Sequence, residues 1–196
     1  SLRARVLGTA LEYQDAVQRD NATDRREAAR KAQELSAELP DSVINRTIII
    51  DNLMLEGELT QALEELDEVQ ELAPRDRRFF QMRLAAEGRL QNDEGIEETL
   101  QGMIRTFPED TQLPRTLMQF YASRGNLDGA ESFLRDQIVP GQANDASRVS
   151  LIQFLNEARG EEAALEETER MIEEGTNDDL FRSLRASLLY DRGQRD

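Results

Sequence analysis

Residues 42–75 read SVINRTIIIDNLMLEGELTQALEELDEVQELAPR. Apolar side chains recur at three- and four-residue spacing on both sides of Gly57, with Ile49 and Leu53 before it and Ala62 and Leu66 after it. That is the period of a helix with one apolar stripe, so the stretch reads as two amphipathic helices, Ser42–Glu56 and Glu58–Leu72, joined at a glycine turn. Ala73-Pro74-Arg75-Asp76 closes the hairpin, because a proline disfavours helix in the residue before it. Neither helix can bury its stripe alone, and the pair needs neighbours on both flanks.

The neighbours are in the same chain. Pro40, Pro74 and Pro108 are 34 residues apart, Gly57 and Gly125 are two such steps apart, and Ala28, Ala62, Ile96, Ala130 and Ala164 follow the same step. A fixed period of this length marks a stack of supersecondary units. Reading outward, the first helix is expected from Leu2 to Arg19, with Asp24-Arg25-Arg26-Glu27 as a capping box opening the second. The third pair is Asp76–Leu90 with Asp93–Thr106, and the fourth is Thr111–Ser123 with Leu127–Ile138, followed by a break at Val139-Pro140-Gly141-Gln142. Asn144–Ala158 and Glu161–Glu174 make the fifth pair, Gly175 suits a helix C-cap, and Thr176-Asn177-Asp178-Asp179 opens a last helix without a mate. The expected architecture is an all-α solenoid, a right-handed superhelix of about five antiparallel hairpins plus a terminal unpaired helix. One domain is expected over 1–196, in units of 1–41, 42–75, 76–109, 110–143 and 144–176 with a half-unit at 177–196, as a fragment of a longer repeat array or with the last helix as its cap.

This pattern resembles the tetratricopeptide repeat, in which 34-residue hairpins carry glycine at the mid-unit turn, a small residue early in the second helix and proline at the close. The second unit shows it in Ile49, Leu53, Gly57, Ala62, Leu66 and Pro74, and the fourth in Leu117, Tyr121, Gly125, Ala130, Leu134 and, two residues early, Pro140. The third unit keeps Phe80, Leu84, Ile96, Leu100, Met103 and Pro108 but has Gln91 for the glycine. It also places Arg83 and Glu87 where its first helix should pack inward, a conflict that a rotated helix would relieve. The fifth keeps Leu151, Leu155, Gly160, Ala164 and Met171, while the opening helix of the first unit is about eight residues out of phase. No unit has the bulky Trp that the family carries near its start.

Composition narrows function. Forty acidic against 24 basic residues give a net charge of −16, which disfavours nucleic acid and anionic membrane as partners. His and Cys are both absent, which removes the usual general base, the thiolate nucleophile and the commonest transition-metal ligands. No catalytic residue, cofactor or metal site is assigned, and no calcium-loop pattern occurs. Absence of cysteine fits a reducing or an oxidising compartment, so cytoplasm and periplasm both remain open. All but one of the basic residues are Arg, a bias of the kind a GC-rich genome produces.

The resemblance implies a non-catalytic scaffold that binds a peptide or protein segment in the concave groove lined by the first helix of each pair. With the Ile49/Leu53 and Leu117/Tyr121 stripes facing inward, the groove candidates are Asp51, Met54, Arg78, Gln81, Arg89, Arg115, Gln119, Gln153 and Asn156. Arg78, Arg89 and Arg115 are expected to form a positive stripe able to grip a carboxylate. Lys31, the single lysine, falls on a second helix, so the lysine- and asparagine-based clamp by which some family members hold chaperone tails is not expected. The acidic runs Glu64-Glu65-Leu66-Asp67-Glu68 and Glu166-Glu167-Thr168-Glu169 are expected on solvated convex faces. The alternative function is an assembly module, in which Leu180, Phe181, Leu184 and Leu188, with Leu189, form an exposed stripe on the last helix that drives self-association or stacking on adjoining repeats.

Overall fold

The computed structural model describes residues 1–139, 145–175 and 177–193, apart from the side chains of Asp191 and Arg192. Among the described residues the chain forms eleven helices and no strand. They are α1 (Leu2–Gln18), α2 (Ala22–Glu38), α3 (Val43–Glu56), α4 (Leu59–Leu72), α5 (Arg77–Leu90), α6 (Asp93–Thr106), α7 (Gln112–Arg124), α8 (Leu127–Asp136), α9 (Asp145–Ala158), α10 (Glu161–Glu173) and α11 (Asp178–Gly193). The fold is all-α, of the helical-hairpin solenoid class. Among the described residues no helix is long and apolar enough to cross a membrane.

The repeat is visible residue by residue. Leu39, Ala73 and Phe107, each just before a proline, end their helices with φ of −138°, −137° and −126°, the extended backbone that a following proline favours. At the hairpin turns Gly57 and Gly125 are left-handed, with φ of +86° and +64°. Gln91 adopts the same conformation at φ +55°, so the third hairpin turns in the same way without its glycine. Asn92 and Asn126, one period apart, cap α6 and α8 by accepting from the backbone N–H of Gly95 and Gly129. Pro140 lies outside the described residues.

One helix start and one helix orientation differ from the sequence reading. The cap of α2 is Asn21, whose side chain accepts from the N–H of Thr23 and Asp24, three residues ahead of the expected capping box. Glu27 instead pairs with Arg30 one turn on. The helix α5 is not rotated: Glu87 occupies the inward position and is buried, accepting from Asn92 Nδ2 at 2.8 Å. Arg83 is half-buried and reaches back to Gln70 and Asp67 of α4.

By compactness the chain divides after Leu117, inside α7. In the first unit successive helices pack in order from α1 to α6, and α1 also touches α3, so the first helices of the first two hairpins lie side by side. Its interior is a series of seams: Tyr13, Ala28, Ala32, Ile48 and Ile49, then Ile50, Leu66, Val69 and Phe79, then Phe80, Met103, Phe107 and Leu113. Ala28 and Ala62 are buried at the hairpin crossings, where a small side chain lets the helices approach. Arginines stitch hairpin to hairpin, with Arg25 and Arg26 on Glu56 and Arg77 on Asp110, while Arg46 ties α3 to α4 inside the second hairpin through Glu65 and Glu68. The arginine bias therefore has a structural use in addition to any genomic cause.

The second unit holds an interior built on Leu151, Ile152, Leu155, Ala164, Met171, Phe181 and Leu188. This corrects the expectation for the last helix. Phe181 is fully buried, Leu188 is 8% exposed and Leu184 packs against the same interior, because α11 lays its apolar stripe on α10. Only Leu180 and Leu189 of the expected stripe remain outward. A second correction concerns the acidic run of α10, where Glu167 and Thr168 are buried. Arg135 and Arg170 neutralise Glu167, and the Thr168 hydroxyl donates to the Ala164 carbonyl.

Candidate functional site

The first unit holds a cleft of about 740 Å³ between α1, α3 and α5, the first helices of its three hairpins. Its apolar lining comes from Ala10 and Val17 of α1, Val43, Ile44 and Ile48 of α3, and Met82 of α5. Val17, in the last turn of α1, and Ile44, in the first turn of α3, are each about two-fifths exposed and put adjoining apolar surface on the cleft wall. The polar lining is Tyr13, Gln14, Gln18, Thr47, Asp51 and Arg78. A few polar groups set in an apolar concavity of this size match the general form of a binding site.

Local sequence explains the geometry. α1 buries Val6, Thr9, Tyr13 and Ala16, leaving Ala10, Gln14 and Val17 along the neighbouring stripe that faces the cleft. In α3 the three-isoleucine run splits across two seams and the cleft: Ile49 joins the seam under α1 and α2, Ile50 the seam to α5, and Ile48 reaches both the first seam and the cleft. The Tyr13 hydroxyl donates to Asp51 Oδ2 at 2.7 Å and so links α1 to α3 across the floor. Burial pushes the Tyr13 phenol far above its ordinary range, reinforced by its hydrogen bond to Asp51, and it stays a donor. At the rim, Arg78 donates from Nε to Asp76 Oδ1 at 3.1 Å and from Nη2 to Oδ2 at 2.6 Å. That hydrogen bond holds the Asp76 carboxyl below the usual range.

The expected groove residues divide. Asp51 and Arg78 line the cleft. Gln81 is exposed on α5 beside it, and Met54 is half-buried against the seam of Ile50, Leu66, Val69 and Phe79. Arg89 leaves the cleft and donates from Nη1 to the Met54 carbonyl at 2.6 Å, tying the end of α5 to the end of α3. Arg115 is exposed on α7. Gln119, Gln153 and Asn156 belong to the second unit, where Gln119 is exposed on α7 and the other two on α9. With Arg78 paired to Asp76 and Arg89 to a carbonyl, the three-arginine stripe reduces to Arg115. Lys31 lies on α2 and pairs with Glu12 at 2.9 Å.

The α1 wall, with Ala10, Tyr13, Gln14 and Val17, and the Ile44, Thr47 and Met82 contributions were not among the expected site residues. The signal for α1 was present as apolar Ala10 and Val17 beside the buried Tyr13, but the phase shift of the first unit hid it. Among the described residues no group of acidic side chains is placed to hold a metal ion.

No protein-family model matches the sequence, and no curated protein matches it. Solved structures do. A tetratricopeptide repeat protein from Parabacteroides merdae is 15% identical, with 97% of this chain and 74% of that one covered and a TM-score of 0.53. MamA from Desulfovibrio magneticus RS-1, residues 41 to the end, is 14% identical, with 87% and 95% covered and a TM-score of 0.51. The structure of Naa15/Naa10 bound to HypK-THB is 19% identical over 96% of this chain and 30% of that one, with a TM-score of 0.53. Together with the period, the turns and the seams, these likenesses show that the chain has the tetratricopeptide-repeat-type fold.

Proposed function

We propose that the chain is a non-catalytic protein–protein interaction scaffold that takes a peptide or protein segment in the cleft between α1, α3 and α5. The observation that carries this reading is the placement of half-exposed Val17 and Ile44 in a concavity whose floor is fixed by the Tyr13–Asp51 hydrogen bond. A preformed floor favours binding because only the incoming segment has to be ordered. The tetratricopeptide-type fold agrees with it, and the Naa15/Naa10 assembly that shares the fold was solved bound to another protein, HypK-THB.

The test is site-specific photocrosslinking in cells. A photoreactive residue at Thr47, in the cleft, should capture a recurring protein segment, while one at Glu64, exposed on α4 and outside the cleft, should not. Equal capture at both positions would refute the reading. The assembly alternative keeps a narrower basis in the outward Leu180 and Leu189 of α11. Sedimentation across a concentration series separates the two, since an assembly module associates without a partner.

A further inference from the structure

The charges at the cleft are unequally answered. Arg78 is neutralised by Asp76, and Arg89 is engaged by a backbone carbonyl. Arg25 is turned to Asn52 and Glu56 at the far end of α3. Asp51 accepts the Tyr13 hydroxyl on Oδ2, and among the described residues no arginine or lysine pairs with it. Its Oδ1 has no hydrogen-bond partner among the described residues, yet the carboxylate lines the same cleft as Val17, Ile44, Ile48 and Met82. A carboxylate set among apolar side chains with one lone-pair face open recognises a cation, since a charge-assisted hydrogen bond strengthens as water is excluded. The net charge of −16 adds long-range attraction of the same sign.

From this we infer that the occupant of the cleft is an amphipathic protein segment bearing a lysine or arginine among apolar side chains, with its cation docked on Asp51. The inference rests on the reading of this cleft as the binding surface. It reverses the expectation that arginines here hold a carboxylate, because the arginines nearest the cleft already have partners.

The probes are three synthetic amphipathic peptides with one leucine pattern and lysine, glutamine or glutamate at the polar positions, titrated against the full chain by fluorescence anisotropy. The lysine peptide should bind tightest. Asp51→Asn should weaken it about tenfold, the loss expected for one hydrogen bond between charged groups, and leave the glutamine peptide unchanged. Glu64→Gln removes the same charge outside the cleft and should change nothing, which separates docking from general attraction. Val17→Asn, a neutral change at an exposed cleft position, should weaken binding of all three peptides without altering the circular dichroism melt. If Val17→Asn weakens binding but the glutamate peptide is the tightest, or Asp51→Asn has no effect, the cationic occupant is refuted and the cleft stands. If Val17→Asn has no effect, or no peptide binds, the cleft reading itself fails. A concentration-dependent dimer dispersed by Val17→Asn would make a second copy the occupant and overturn the inference.

Discussion

Asn45 is fully buried in the first turn of α3, and neither its Nδ2 nor its Oδ1 has a hydrogen-bond partner among the described residues. One period on, the same position is Phe79, fully buried, and two periods on it is Leu113, 7% exposed. The seam therefore accepts large apolar side chains in this register, and Asn45 is its polar exception. Asn45→Leu removes an amide whose stranded burial costs about 1–3 kcal/mol. It also gains apolar burial, offset by about 1 kcal/mol or more of repacking where the isobutyl group exceeds the amide in volume. The net expectation is a gain of about 1–3 kcal/mol, or about 2–4 °C in melting temperature for each kcal/mol in a chain of this size. Urea titration followed by circular dichroism measures it as a higher midpoint at unchanged slope. A lower midpoint would refute the reasoning and show that the amide is satisfied, for instance by an ordered water bridging the seam.

Four further outcomes follow from the packing and the charges. A methyl group at Gly129 would stand 2.6 Å from Tyr121 Cε1, and one at Gly95 would press into the Glu87 carboxylate one period earlier. Gly129→Ala should therefore lower stability by about 1–3 kcal/mol, and Gly95→Ala should be partly rescued by Glu87→Ala, a coupling that a double-mutant cycle reads directly. Glu56 is held below the usual carboxylate range by its hydrogen bonds to Arg26 and Arg25. A depressed folded value stabilises above the unfolded carboxyl's titration near about pH 4 and is lost as pH falls through the folded value, so Glu56→Gln should flatten the acid limb of the melting-temperature profile. Phe181→Ala should cost about 3–5 kcal/mol in thermal or urea unfolding and leave the sedimentation behaviour unchanged, because the ring lies inside the second unit.

The fold was legible in the sequence because its determinants are local and repeated. Pro40, Pro74 and Pro108 fix helix ends through their own backbone restriction, and the buried alanines recur in step. The Gln91 turn shows how far the period constrains geometry, since a residue other than glycine is held in the left-handed region by the hairpins around it. The site was less legible. Asp51 and Arg78 follow from helix facing alone, but the α1 wall depends on a first unit whose helices are out of step with the rest. Charge pairing depends on reach between hairpins: Arg89 finds a carbonyl 35 positions back, and no spacing rule shows that it abandons the groove. The last helix was misjudged for a related reason. A stripe at helical spacing marks an apolar face, and whether that face is covered depends on the neighbour it meets, here α10.

The claim on which the account turns is that a protein segment docks between α1, α3 and α5. The direct measurement is methyl and amide chemical-shift mapping of the full chain titrated with the lysine-bearing amphipathic peptide. Saturable shifts are expected at Val17, Ile44, Thr47, Ile48 and Met82, with the α4 and α6 faces silent. Shifts centred on α4, α6 or α11, or none in the cleft at saturating peptide, would contradict it.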